Sequence, residues 1–101
     1  MRSGHTKRME IQVDPHTLER AEERGANKEE IQDVINTGFS IPAKYGRVGK
    51  AKVYDFRQKR LGKYYEQKRV EVIYTVEGNI ILTVTVYVFY GKWEGEDAAS
   101  V

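Results

Sequence analysis

Residues 80–90 read IILTVTVYVFY, a run with no charge, glycine or proline, and almost every residue in it is β-branched or aromatic. Such side chains pack well on a pleated, half-buried surface, so the run predicts a long strand. Side chains alternate across a strand with a period of two. Ile80, Leu82, Val84, Val86 and Val88 therefore form one wholly aliphatic face, and Ile81, Thr83, Thr85, Tyr87 and Phe89 form the other. The expectation is that the aliphatic face looks into the core and that the Thr83/Thr85/Tyr87 face is a free, concave polar surface. Threonine and tyrosine also favour strands whatever their role, so that stripe has a plain explanation too.

A strand of this length needs partners. EGN at 77–79 is a tight hairpin signal, and KYYEQKRVEVIYTV at 63–76 precedes it with Val70, Val72, Tyr74 and Val76 on one face. RLG at 60–62 predicts a turn, and KAKVYDFRQK at 50–59 a further strand. Residues 40–42 and 45–49 read as a strand fragment or a loop with turns, and RMEIQV at 8–13 as a short first strand.

The chain between residues 14 and 38 has a helical period instead. Asp14 is a good N-cap with Pro15 at the first helical position, and Gly25 is placed to end that helix. Asn27 caps a second helix with Glu30 as its capping-box partner, Ile31, Val34 and Ile35 form its apolar stripe, and Gly38 closes it. Helices followed by strands joined through short turns predict an α+β fold: two N-terminal helices packed on one face of a small antiparallel sheet. The 101 residues suit one domain. It is expected over 8–94, between a disordered start at 1–7 and a polar tail at 95–101. The chain has no cysteine, which excludes disulfides, thiolate metal sites and a cysteine nucleophile. No run is long enough to span a bilayer, so a cytoplasmic protein without a membrane partner is expected.

The net charge is only +2, yet residues 39–69 hold ten Lys and Arg against Asp55 and Glu66 alone. Tyr45, Tyr54, Phe56, Tyr64 and Tyr65 are interleaved with them. Basic residues among aromatics suit a phosphate backbone and unstacked bases. A solvated sheet face with lysines guarding an edge strand has the same composition.

His16, Arg20 and Arg24 fall four residues apart and share one helix face. Like charges in such a row repel, although Glu19 and Glu23 lie beside it. Read as a site, the row binds an anion: histidine exchanges a proton near neutrality, as a general base must, and each arginine offers a planar fork to a phosphate. Read otherwise, it is the exposed face of a mixed-charge helix. Two histidines with no converging carboxylates predict no metal site, and YGRVGKAK lacks the spacing of a phosphate loop. No cofactor is expected.

HTLERAEERGANKEEI at 16–31 resembles the opening of the DUF4258 family, whose pattern is roughly His-Ala-x-x-Arg-Met-x-x-Arg-Gly-Ile-x-x-Glu-Glu-Ile, and TVTVYVFYGKWE at 83–94 resembles its closing strand. The chain departs from that pattern at the packing positions Thr17, Ala21 and Ala26. The resemblance implies a RelE/ParE-like fold and a toxin of a toxin–antitoxin pair, acting as a metal-independent ribonuclease. On that basis His16, Arg20, Arg24 and Tyr87 are the candidate catalytic residues. Thr85 joins Lys44, Arg47, Lys50 and Lys52 as a candidate RNA contact. The implied partners are RNA, including messenger RNA on the ribosome, and a cognate antitoxin protein. ParE-like relatives of such enzymes act by binding protein, so a non-enzymatic module binding nucleic acid or protein stays open.

Overall fold

The computed structural model describes residues 9–93. The expectations for 1–7 and 95–101 lie outside them. Chain order is β1 (Glu10–Gln12), α1 (Pro15–Arg24), α2 (Lys28–Thr37), β2 (Phe39–Ile41), β3 (Val48–Arg60), β4 (Lys63–Glu77) and β5 (Ile80–Gly91). Among the described residues no helix is long and apolar enough to cross a membrane.

The helix boundaries follow from local chemistry. The Asp14 carboxylate accepts the Thr17 amide at 3.1 Å, and Pro15 opens α1 without losing a bonded N–H. Gly25 ends α1 in the left-handed conformation, φ 106°. A side chain here would also run into the Tyr90 hydroxyl, so glycine is required twice over. Asn27 and Glu30 complete a reciprocal capping box at the start of α2.

The sheet order is β1-β5-β4-β3-β2. The pairs β2–β3, β3–β4 and β4–β5 are antiparallel. The expected antiparallel sheet is instead a mixed one, because β1 runs parallel to β5, pairing Glu10 with Ile80 and Gln12 with Leu82. β1 and β5 come from opposite ends of the chain, and α1 then runs back along the same strand. Ala21, Ala26, Ile31, Val34 and Ile35 share one buried cluster with Val70, Val72, Tyr74, Ile81 and Val86. Burying a side chain such as Val72 or Ile31 contributes roughly 1.5–3 kcal/mol.

The expected face of β5 needs correction in its first half. Ile81 and Thr83 are the buried residues there, 7 % and 3 % exposed, whereas Leu82 is 40 % exposed. The cause is a β-bulge: Tyr74 pairs with Thr83 and Ile73 with Thr85, which leaves Val84 as an extra residue. One extra residue inverts the alternation. Val86 is thus buried as expected, while Ile80, Leu82 and Val84 are not part of the buried core. Thr83 is not on a free polar surface either; its hydroxyl accepts the Asp14 amide at 3.1 Å.

Among the described residues, three non-glycine residues are left-handed: Tyr45 (φ 60°), Arg57 (φ 51°) and Leu61 (φ 53°). Tyr45 and Leu61 are each followed by a left-handed glycine, Gly46 and Gly62, in the β2–β3 and β3–β4 turns. Two consecutive positive φ angles define a type I′ turn, which favours Asn or Gly at its first central position. A bulky residue there costs about 1–2 kcal/mol.

Candidate functional site

β1 covers β5 only as far as Leu82, so among the described residues no strand lies beside the rest of that edge. α1 runs along it and supplies side-chain donors instead. The Thr17 hydroxyl donates to the Val84 carbonyl at 3.3 Å, and Arg24 Nη1 donates to the Val86 carbonyl at 2.6 Å. Bare edge carbonyls invite pairing with another strand, and these hydrogen bonds close that opportunity.

Between α1 and this edge lies an open pocket of about 240 Å³, lined by Asp14, His16, Thr17, Arg20, Val84, Thr85 and Val86. Three consecutive strand residues line it because it faces the edge of β5, not either face of the sheet. His16 and Arg20 are exposed, and neither makes a hydrogen bond or ion pair with another described residue. The pocket's one carboxylate, Asp14, is the N-cap of α1, and it lies 3.4 Å from the Thr17 hydroxyl, sharing that one proton with the Val84 carbonyl. Arg24 lies next to the pocket, its guanidinium carbon 5.9 Å from the centre of the Tyr87 ring. Tyr87 in turn stacks on Phe89, with centroids 6.3 Å apart. The geometry offers an imidazole, one unpaired guanidinium and hydroxyls around a small open volume, with an exposed aromatic pair nearby. Such a set can receive an oxyanion.

Five of the candidate residues, His16, Arg20, Arg24, Thr85 and Tyr87, therefore fall in one neighbourhood. Arg24 differs from the other two of the row, since its charge is held by the strand carbonyl. Asp14 and Thr17 complete the pocket, and sequence reasoning does not mark either as a site residue. The cap signal of Asp14 is present in the sequence, but nothing local shows that a threonine at residue 17 reaches a carbonyl on β5.

Lys44, Arg47, Lys50 and Lys52 are not brought to this pocket. They lie on β3 and in the β2–β3 turn, with β4 between them and β5. Lys52 is engaged by α2: its ammonium is 2.8 Å from Asp33 Oδ2 and 2.8 Å from the Thr37 hydroxyl. Tyr54 donates to the same carboxylate at 2.6 Å. The Lys52 hydrogen bond, then that of Tyr54, holds the Asp33 carboxyl below its usual range. Burial first, and then the Asp33 hydrogen bond and charge, pushes the Tyr54 phenol up, so it stays a donor. Lys50 reaches the Ser40 hydroxyl at 3.4 Å, and Arg47 lies 6.0 Å from the Tyr45 ring centre.

The far end of α1 is also closed by the sheet. Arg60 Nη2 donates to the Glu23 carbonyl at 2.9 Å, the Tyr90 hydroxyl to that of Arg24 at 2.7 Å, and Lys68 Nζ to that of Gly25 at 2.8 Å. The last carbonyls of a helix lack intrahelical partners and carry its negative dipole end, so cationic donors suit them. Burial pushes the Tyr90 phenol up, consistent with its donor role.

Among the described residues, no three of His, Asp and Glu gather into a metal-binding group. No protein-family model matches the chain, and neither a curated protein nor a solved structure matches it.

Proposed function

We propose that this protein is a cytoplasmic, RNA-cleaving toxin of the RelE-like kind, with the pocket between α1 and the β5 edge as its active site. The observation that carries the reading is the convergence of His16, Arg20 and Thr85 on one open pocket, where His16 and Arg20 are paired with no described residue. The reaction is phosphodiester transfer. The RNA 2′-hydroxyl attacks the adjacent phosphorus and its proton passes to the His16 imidazole. The bond to the 5′-oxygen breaks, and that oxygen takes a proton from solvent water, leaving a 2′,3′-cyclic phosphate and a 5′-hydroxyl. Arg20 faces the extra negative charge of the phosphorane, where a preorganised donor has the largest effect. Thr85 donates to a phosphate oxygen, and Tyr87 stacks a base beside the pocket. Arg24 acts through position: held by Val86, it fixes the strand edge and the Tyr87 ring. Under this reading a row of like charges on α1 is tolerated because its partner is a polyanion, and a cognate antitoxin shields the same face.

A second reading, a non-enzymatic binding module, is favoured by one observation. The pocket's only carboxylate is committed to capping α1, so His16 has no companion acid or base there. Incubating the purified protein with RNA in the presence of a chelator separates the two. Cleavage that His16→Ala abolishes supports the enzyme; binding without cleavage supports the module.

A further inference from the structure

Two turns at opposite ends of β3 share one unusual design. Lys44-Tyr45-Gly46-Arg47 and Arg60-Leu61-Gly62-Lys63 each place a bulky residue and then a glycine at positive φ, with basic residues on both sides. The bulky side chains point into solvent: Tyr45 is 86 % exposed and Leu61 is 94 % exposed. At that exposure neither side chain gains burial to offset the strain of a left-handed Tyr or Leu, although the Arg47 guanidinium lies 6.0 Å from the Tyr45 ring centre. Asparagine or glycine in either position relieves it. Strain kept without an internal return points to a contact outside the molecule.

The surroundings indicate what that contact is. Residues 56–65 carry Arg57, Lys59, Arg60 and Lys63 and no acidic residue. Arg57 lies 3.7 Å from the Asp55 carboxylate and Arg60 turns back to the Glu23 carbonyl, which leaves Lys59 and Lys63 as the cations beside Leu61. Lys44 and Arg47 flank Tyr45, and the 13 residues of β3 separate the two tips by about 40 Å. An apolar tip between cations matches a nucleic-acid strand, whose phosphates meet the charges while an unstacked base meets the tip.

We propose that the Tyr45 and Leu61 turns are two contact points for single-stranded RNA, each offering one exposed side chain to a base and its neighbouring cations to phosphates. This deepens the RNA reading above and rests on it for the choice of RNA over DNA. The two turns are distinct from the pocket and anchor RNA that extends beyond it.

The test uses the full chain and a labelled 2′-O-methyl RNA of about 16 nucleotides. Lacking the 2′-hydroxyl nucleophile, it cannot be cleaved by transfer, so binding is read apart from catalysis. Tyr45→Asn and Leu61→Asn should each weaken binding about tenfold while melting at the wild-type temperature or above it. Lys44→Gln with Lys63→Gln should reduce the slope of log K against log salt by about 0.7 for each phosphate that is no longer neutralised. Unchanged affinity in both Asn variants overturns the proposal, as does weaker binding only in variants that melt lower. Wild-type binding to anionic phosphatidylserine vesicles but not to this RNA, abolished in Leu61→Asn, overturns it in favour of a lipid surface. Tight binding of the 2′-O-methyl strand without cleavage of ordinary RNA removes the catalytic reading and leaves this one standing.

Discussion

Arg24 Nη1 lies 2.6 Å from the carbonyl oxygen of Val86, so the last arginine of the α1 row caps the open edge of β5 and is not free in the pocket. A hydrogen bond from a charged donor contributes roughly 1.5–3 kcal/mol, and its loss leaves the carbonyl to water or to a foreign strand. Arg24→Ala should lower stability by about 1–2 kcal/mol in chemical denaturation, with a greater tendency to self-associate. A midpoint identical to wild type would show that the bond has no structural weight.

His16 and Arg20, by contrast, have no such bond to any described residue. Their truncation opens no core cavity, and exposed substitutions of this sort stay within about 0.5 kcal/mol. Under the proposed mechanism His16→Ala should slow RNA cleavage by about a hundredfold or more. Arg20→Ala should cost a similar factor, about a hundredfold, through weaker charge stabilisation. Thermal melts and cleavage assays on the same preparations check both halves. Full activity in His16→Ala at an unchanged melting temperature eliminates its catalytic role.

The bulge at Val84 makes opposite predictions for neighbouring residues. Val86→Ala should cost about 2 kcal/mol through reduced burial and a residual cavity. Leu82→Ala, being half-exposed, should cost about half of that or less. Thr83→Val keeps the volume but orphans the Asp14 amide, and should cost about 1–3 kcal/mol. A Leu82→Ala effect larger than that of Val86→Ala would place the inversion elsewhere.

Lys68 is buried, and its ammonium lies 2.8 Å from Glu30 Oε2 as well as from the Gly25 carbonyl. Removing Lys68 leaves the Glu30 carboxylate, 22 % exposed, without its cation and the Gly25 carbonyl without this donor. Lys68→Met should cost about 3 kcal/mol, and adding Glu30→Gln should recover a good part of it. Denaturation midpoints of the two single variants and the double variant measure that coupling.

Asp33 supplies a pH dependence. Its folded carboxyl titrates below the usual 3.8, chiefly because Lys52 hydrogen-bonds to it. A depressed carboxylate stabilises the fold fully above its unfolded pKa and loses that contribution as pH falls through the folded value. The melting-temperature gap between wild type and Asp33→Asn should be constant near neutrality and close below about pH 4. The pair is partly solvated, which limits the effect to about 1 kcal/mol or less. A gap that widens on acidification contradicts the assignment.

Helix starts and stops are legible in the sequence because their causes are local. Asp14 before Pro15, the Asn27–Glu30 box, and Gly25 and Gly38 act within a few residues, and both helices end where these signals lie. The hairpins at 61–62 and 78–79 are legible for the same reason: turn geometry depends on adjacent φ angles. The strand faces are legible only in part. In β4, Val70, Val72 and Tyr74 are buried as their alternation implies, but Val76, placed on the same face by that alternation, is 47 % exposed. In β5 both faces are rich in apolar residues, so the pattern alone does not say where an extra residue enters the ladder. Pairing with β4 and docking of α1 set that position, through Thr83 to Asp14 and Thr17 to Val84, hydrogen bonds spanning 69 and 67 residues of chain. Tertiary structure likewise sorted the cations. Arg20 and Arg24 look alike along the helix, and Lys50 and Lys52 along the strand. Only the approach of β5 takes Arg24 out of the anion-binding set, and only the approach of α2, with Asp33 and Thr37, takes Lys52 out of the basic surface. A side chain's type and spacing determine which interactions it is able to make. Which of them it makes depends on the groups that folding brings within about 3 Å, because a hydrogen bond needs its donor and acceptor at that distance.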